Sequence, residues 1–179
     1  MAKSFLERLC PDRYYNSVFD IDLEELKTRN IKGLILDLDN TLVAKREKKI
    51  PNGLYGWLES VANQKIGVCV VSNSLAKRAE DIAGRVKLPV VAPAKKPMKK
   101  AFENGMRLLG TTQEETAVVG DQLFTDILGG NKADTYTILV APISKREPLH
   151  TKILRKLEKI VLKNLTSKGL FKDGRRVEK

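Results

Sequence analysis

Five short runs of apolar, largely β-branched residues recur along the chain, at Gly33–Leu38, Gly67–Ser72, Val90–Ala92, Thr116–Gly120 and Thr135–Val140. Between them the apolar positions fall at helical spacing, over Asn52–Asn63, Leu75–Gly84, Lys99–Leu109 and a short Leu123–Asn131, and an amphipathic Leu23–Thr28 precedes the first run. Runs that are apolar on both faces suit strands covered on both sides, and strands alternating with helices imply a parallel sheet between two helical layers. The expectation is therefore an α/β domain with a central parallel sheet of about five strands and helices on both faces. The roughly 20 to 35 residues from one strand to the next suit right-handed crossovers.

Ligands of such sheets sit at the carboxyl ends of the strands. The first strand ends in Asp37-Leu-Asp39-Asn-Thr41. Residues i and i+2 of a strand share a face, so the turn after Asp37 must separate the two carboxylates, and two carboxylates in different environments can serve as nucleophile and as acid/base. A single Asp capping a turn is ordinary, but Asp, Asp, Asn and Thr together are not. The second strand ends in Ser72-Asn73, a hydroxyl and amides ahead of a helix start, which is either a plain N-cap or a cradle for an anion. The third is followed by Lys95-Lys96-Pro97, where a lysine before a proline can project a fixed cation. The fourth leads through Gly120 to Asp121 and Asp126, oxygen donors suited to Mg²⁺.

Taken in this order, each at a strand end, the four segments resemble the motifs of the haloacid dehalogenase (HAD) superfamily, whose fold is a three-layer Rossmann-like sandwich. The resemblance covers about residues 20 to 145. It implies a phosphatase in which Asp37 attacks phosphorus, Asp39 acts as acid and then base, and Thr41, Ser72, Asn73 and Lys96 hold the phosphate. Mg²⁺ would be held by Asp37, Asp39 through its backbone carbonyl, Asp121 and Asp126. Lys96 is preferred to Lys95 because it directly precedes Pro97. An Asp rather than a Thr at position 39 favours a phosphatase over an ion-pumping ATPase. Superfamily members usually gain specificity from an inserted cap. Here 30 residues separate Thr41 from Ser72 and 23 separate Ser72 from Lys96, so the cap is expected to be minimal or absent.

The 179 residues suit one domain, and no apolar run approaches the ~20 residues of a membrane-spanning helix. The first ten residues contain an acid and no long apolar core, so a cytoplasmic location is expected rather than secretion. Two isolated cysteines and one histidine support neither a disulfide framework nor zinc. The net charge is +11, of which the residues from Lys145 onward supply +8. Residues 1–148, with a lead-in over 1–20, are read as the phosphatase domain, and 149–179 as a basic amphipathic helix and tail. In the tail Ile153, Leu157, Ile160 and Val161 lie at helical spacing among Lys152, Arg155, Lys156, Lys159 and Lys163. That helix either packs on the domain or lies peripherally on an anionic membrane.

The finer pattern resembles subfamily IIIA proteins of the bacterial YqeG type, which are related to phosphatidylglycerophosphate phosphatases. The stretches that carry it are Ile21–Leu26, Asp37–Leu42, Gly120–Asp126 and Arg146–Arg155. The resemblance implies a lipid phosphate, phosphatidylglycerol phosphate, as substrate. The alternative is a soluble sugar or nucleotide phosphate with an oligomer forming the lid. A nucleic-acid or ribosome-associated role for the tail is disfavoured by few aromatics and no recognisable module.

Overall fold

The computed structural model describes residues 4–45, 47–144 and 149–177. The central sheet has eight strands rather than five, in the order β4-β3-β2-β5-β6-β1-β8-β7. The five expected strands are its parallel heart: β2 (Gly33–Leu36), β3 (Gly67–Val71), β4 (Val90–Val91), β5 (Thr116–Gly120) and β6 (Tyr136–Val140). The additions are β1 (Arg13–Tyr15), parallel to β6, and the hairpin β7 (Phe171–Lys172) and β8 (Arg175–Arg176), antiparallel to β1. These strands are two or three residues long and rich in Arg, Tyr and Lys, so they leave no apolar run to detect.

Both faces of the sheet are covered. Leu34, Leu36, Val70, Val119 and Ile138 point to one face and pack with α2 (Leu23–Thr28), α3 (Leu54–Asn63) and α4 (Ala76–Arg85). The alternate residues Ile35, Cys69, Val71 and Val118 point to the other, against Phe102 and Met106 of α5 (Lys99–Leu109). This period of two with both sets buried is what a doubly covered strand requires. α1 (Phe5–Arg8), α6 (Leu128–Lys132) and α7 (Leu149–Ser167) close one flank, where Leu9 meets Leu123, Ile127, Leu128 and Leu139. Glu25 of α2 joins this lead-in to the sheet: Arg13 pairs with it, Arg29 donates to it at 3.0 Å and the Tyr136 hydroxyl at 3.1 Å. Partial burial pushes the Glu25 pKa up, but these donors outweigh it and hold it at about 2.

The connection after β2 leaves the site open. The described residues between β2 and β3 are used up by a loop and by α3, whose Leu54, Trp57 and Val61 are buried in the core, so they form no cap. Among the described residues no helix is long and apolar enough to cross a membrane. Of the residues quoted for the finer resemblance, 146–148 lie outside the described ones.

The sequence left open which way α7 faces. Ile153, Leu157 and Ile160 face solvent at 54%, 46% and 56% exposure, together with Leu154, while Thr151, Glu158 and Leu165 are buried and Val161 and Leu162 pack on the domain. Polar contacts fix the inward face, as described next.

Candidate active site

The four segments converge at the carboxyl ends of β2, β3 and β5. Asp37 follows β2 directly, and its N–H donates to the Val119 carbonyl of β5 at 2.9 Å, so the sheet itself aims the side chain. Asn40 then turns the chain in the left-handed region at φ 68°, a conformation Asn tolerates better than most residues. Its backbone N–H donates to the Val43 carbonyl at 2.7 Å. Asp39 is thereby carried away from Asp37, and its carboxylate accepts from the Ser74 hydroxyl and from Arg78 of α4, through Nη2 at 2.8 Å and Nε at 3.1 Å.

Asp37, Asp121 and Asp126 each offer one carboxylate oxygen within 4.8 Å of the others. Lys96, 7% exposed, lies among them with Nζ 2.6 Å from Asp37 Oδ1 and 2.7 Å from Asp126 Oδ1. Burial alone would push the ammonium's pKa down, but the two carboxylates overcome that and raise it. Burial and the Asp126 charge push Asp37 up to about 6 despite Lys96. Asp121 is also raised well above the ordinary carboxylate range, by burial first and then by Asp37, with Arg155 opposing.

Asp126 sits in a π-helical turn, Leu123–Ile127, a geometry frequent at functional sites. Its Oδ2 accepts from the Gln122 N–H at 3.1 Å. The turn brings Asp126 so close to Gly120 that an added Cβ there would lie 2.3 Å from the Asp126 carboxyl carbon, which accounts for the glycine.

The remaining expected residues divide. Ser72 and Asn73 line the pocket, and Asn73 pairs reciprocally with the Lys96 backbone, Oδ1 accepting at 2.7 Å and Nδ2 donating at 3.1 Å, so it positions the lysine. Lys95 is exposed and points elsewhere, whereas Lys96 enters the site. Thr41 is buried and its hydroxyl donates to Asp121 Oδ1 at 3.4 Å, which places it behind the carboxylates rather than in the pocket. The pocket is an open concavity of about 210 Å³ whose walls also include Lys45, Gln122 and Thr125.

The partners Ser74, Arg78, Arg155 and Glu158 were not foreseen in these roles. Arg155 of α7 pairs with the Asp121 carboxylate and donates to its backbone carbonyl, and it holds Glu158 at 3.0 Å. Glu158 in turn accepts from the Leu123 N–H at 2.7 Å, capping the π-helical turn. A sequence cue for Arg78 exists in hindsight, since it lies one helical turn beyond Ser74. Arg78→Ala is expected to lower kcat about tenfold with little change in KM, because Asp39 loses its orientation and the substrate loses no contact. Steady-state kinetics against Arg78→Lys tests this, and an equal rise in KM would instead make Arg78 a substrate ligand.

Three acidic residues and a lysine at the ends of parallel strands in a doubly covered α/β sheet define a phosphatase of HAD type. The family model described as mitochondrial PGP phosphatase matches residues 7–143, and the chain belongs to that family. It is 38% identical over 169 residues to the probable phosphatase YqeG of Bacillus subtilis (strain 168), covering 94% of this chain and 96% of that protein. It is 32% identical over 160 residues to phosphatidylglycerophosphate phosphatase 1, chloroplastic/mitochondrial, of Arabidopsis thaliana, covering 84% of this chain but 46% of that longer protein. In fold it is similar to the cobalt-bound deoxy-D-mannose-octulosonate 8-phosphate phosphatase of Haemophilus influenzae, with a TM-score of 0.52 at 17% identity over 81% of this chain and 95% of that one. The chain is a phosphoric monoester hydrolase.

Proposed function

We propose that the protein hydrolyses a phospholipid phosphomonoester, phosphatidylglycerol phosphate, through a phosphoaspartyl intermediate on Asp37, with Mg²⁺ as cofactor. The observation that carries the chemistry is the convergence of Asp37, Asp121 and Asp126 with Lys96 at an open pocket. An Asp37 oxygen attacks phosphorus as the ester P–O bond breaks, and Asp39 gives a proton to the departing alkoxide. Asp39 then takes a proton from water, whose oxygen attacks the acyl phosphate and frees inorganic phosphate and the Asp37 carboxylate. Lys96, positioned by Asn73, and Ser72 stand where charge develops on the transferring oxygens.

The donor set fits a small divalent cation: Asp37, Asp121 and Asp126 are hard oxygen ligands held close together, and the Asp39 carboxylate, turned to Arg78, leaves that residue's backbone carbonyl as its contribution. When bound, Mg²⁺ supplies charge neutralisation for the approach of a carboxylate to a phosphate anion.

Three things support the lipid. The relatives include phosphatidylglycerophosphate phosphatases. The uncapped pocket does not enclose a small molecule by itself. The outward face of α7 presents Ile153, Leu154, Leu157 and Ile160 among exposed lysines, the composition of a helix lying peripherally on an anionic bilayer. The test is Mg²⁺-dependent phosphate release from phosphatidylglycerol phosphate in mixed micelles, beside a panel of soluble sugar and nucleotide phosphates, with Asp37→Asn as the blank. Selective lipid turnover is the expected result. Turnover of soluble esters alone would keep the chemistry and discard the substrate.

A further inference from the structure

Beside the catalytic pocket lies a second concavity, a groove of about 520 Å³ between the end of β6 and α7. That volume falls within the ~300–1,000 Å³ of sites for small organic ligands. Its walls are formed by Leu123, Leu139, Val140, Ala141, Pro142 and Leu162. Along its rim Lys152, Lys156 and Lys159 recur at i, i+4 and i+7, hence on one side of α7. The groove and the catalytic pocket meet across one peptide bond, because Asp121 lines the first and Gln122 the second. The other charged groups facing the groove, Asp121, Arg155 and Glu158, pair with one another, and Tyr14 adds a neutral phenol, so the lysine row is the charge it offers a ligand.

Apolar walls beneath a row of cations select an amphiphilic anion. A nucleic acid would use the lysines and leave the walls wet, and a neutral hydrocarbon would use the walls and leave the lysines without a counter-ion. We propose that this groove receives the acylglycerol end of the lipid whose phosphomonoester is attacked by Asp37, with the lysine row on the phosphodiester that joins the two ends. One lipid thus spans both concavities, and the walls, rather than a cap, supply specificity. This inference rests on the lipid-phosphate reading above.

The experiment compares phosphatidylglycerol phosphate bearing two six-carbon acyl chains, below its micellar concentration, with its deacylated counterpart. The two share every phosphate and differ in the two acyl chains, whose removal leaves two hydroxyls, and without an interface the outward face of α7 contributes nothing. The wild-type protein is expected to prefer the acylated compound in kcat/KM by at least tenfold, each methylene covered by the walls contributing roughly threefold to fourfold. Ala141→Trp, which fills the groove, should bring the ratio towards one. The exposed-surface variant Lys152→Glu/Lys156→Glu/Lys159→Glu should lower kcat/KM on both compounds about tenfold, whatever the fate of the tryptophan variant's fold. Equal turnover of both compounds by the wild type, a preference that survives in folded Ala141→Trp, or unchanged kinetics in the lysine variant would each overturn the groove. Hydrolysis of soluble sugar or nucleotide phosphates but of neither compound would overturn the lipid reading itself, and the groove with it.

Discussion

Asp37→Asn is expected to lose at least about 10³-fold in kcat while melting within a few degrees of the wild type. An amide oxygen is a poor nucleophile towards phosphorus, so no covalent intermediate forms and the water step that depends on it cannot follow. The fold has little to lose. Asp37 is held in a setting where burial and the Asp126 charge raise its pKa to about 6, and the amide keeps its shape while removing one charge from a crowded cluster. Lys96 retains Asp126 at 2.7 Å, so no buried cation is stranded. Phosphate release and a thermal melt on the same preparation check both halves, and retained turnover would place the nucleophile elsewhere.

Lys96→Met is expected to act on stability as well as on activity. Without the ammonium, Asp37 and Asp126 lose the cation between them and face Asp121 with only Arg155 opposing. Removing one partner of a buried pair costs about 3–5 kcal/mol, against marginal native stability. The penalty should depend on pH in a definite direction. Asp37 and Asp121 already have folded-state pKa values above the ordinary carboxylate value of 3.8, so the native state binds more protons than the unfolded chain as pH rises above about 4, in the case of Asp37 up to about 6. Stability contributed by these groups therefore falls as pH rises through that window. Loss of Lys96 raises the Asp37 pKa further and extends the fall to higher pH, so the variant should be closest to wild type near pH 5 and weakest near pH 8. Millimolar Mg²⁺ should recover part of the loss by binding the native carboxylates. Melting curves at three pH values with and without Mg²⁺ measure this, and a penalty independent of pH would mean that Lys96 is valued for packing alone.

The parallel heart of the sheet was legible because each of its strands is apolar on two faces, and so was the order of the chemistry, because each group follows one of those runs. Thr116–Gly120 and Lys99–Leu109 fall at their expected bounds. What escaped lacks an apolar signature. β1 is Arg-Tyr-Tyr, and the hairpin of β7 and β8 turns on Asp173 and Gly174, both at positive φ, so the Asp-Gly pair was the available cue. The clustered carboxylates Asp37, Asp121 and Asp126 could be read from spacing, but their partners could not. Arg78 and Arg155 lie on helices where arginine ordinarily means a solvated face, and the facing of α7 stayed open because its anchors are an arginine and a glutamate whereas its leucine-isoleucine row points outward.

The position of β1 bears on how the polypeptide is made. β1 lies between β6 and β8, and Asp12, at its start, accepts from the Thr137 N–H across 125 residues of sequence. Ribosomes extend chains at about 5–20 residues per second, so the lead-in emerges on the order of ten seconds before its first sheet neighbour exists and waits longer for its second. Through that interval Leu9 and Cys10, both buried at the end against residues beyond position 120, lack those native neighbours. A chain cut short before β6 would therefore carry this apolar segment without its sheet neighbours, and could not complete the sheet however stable its other half.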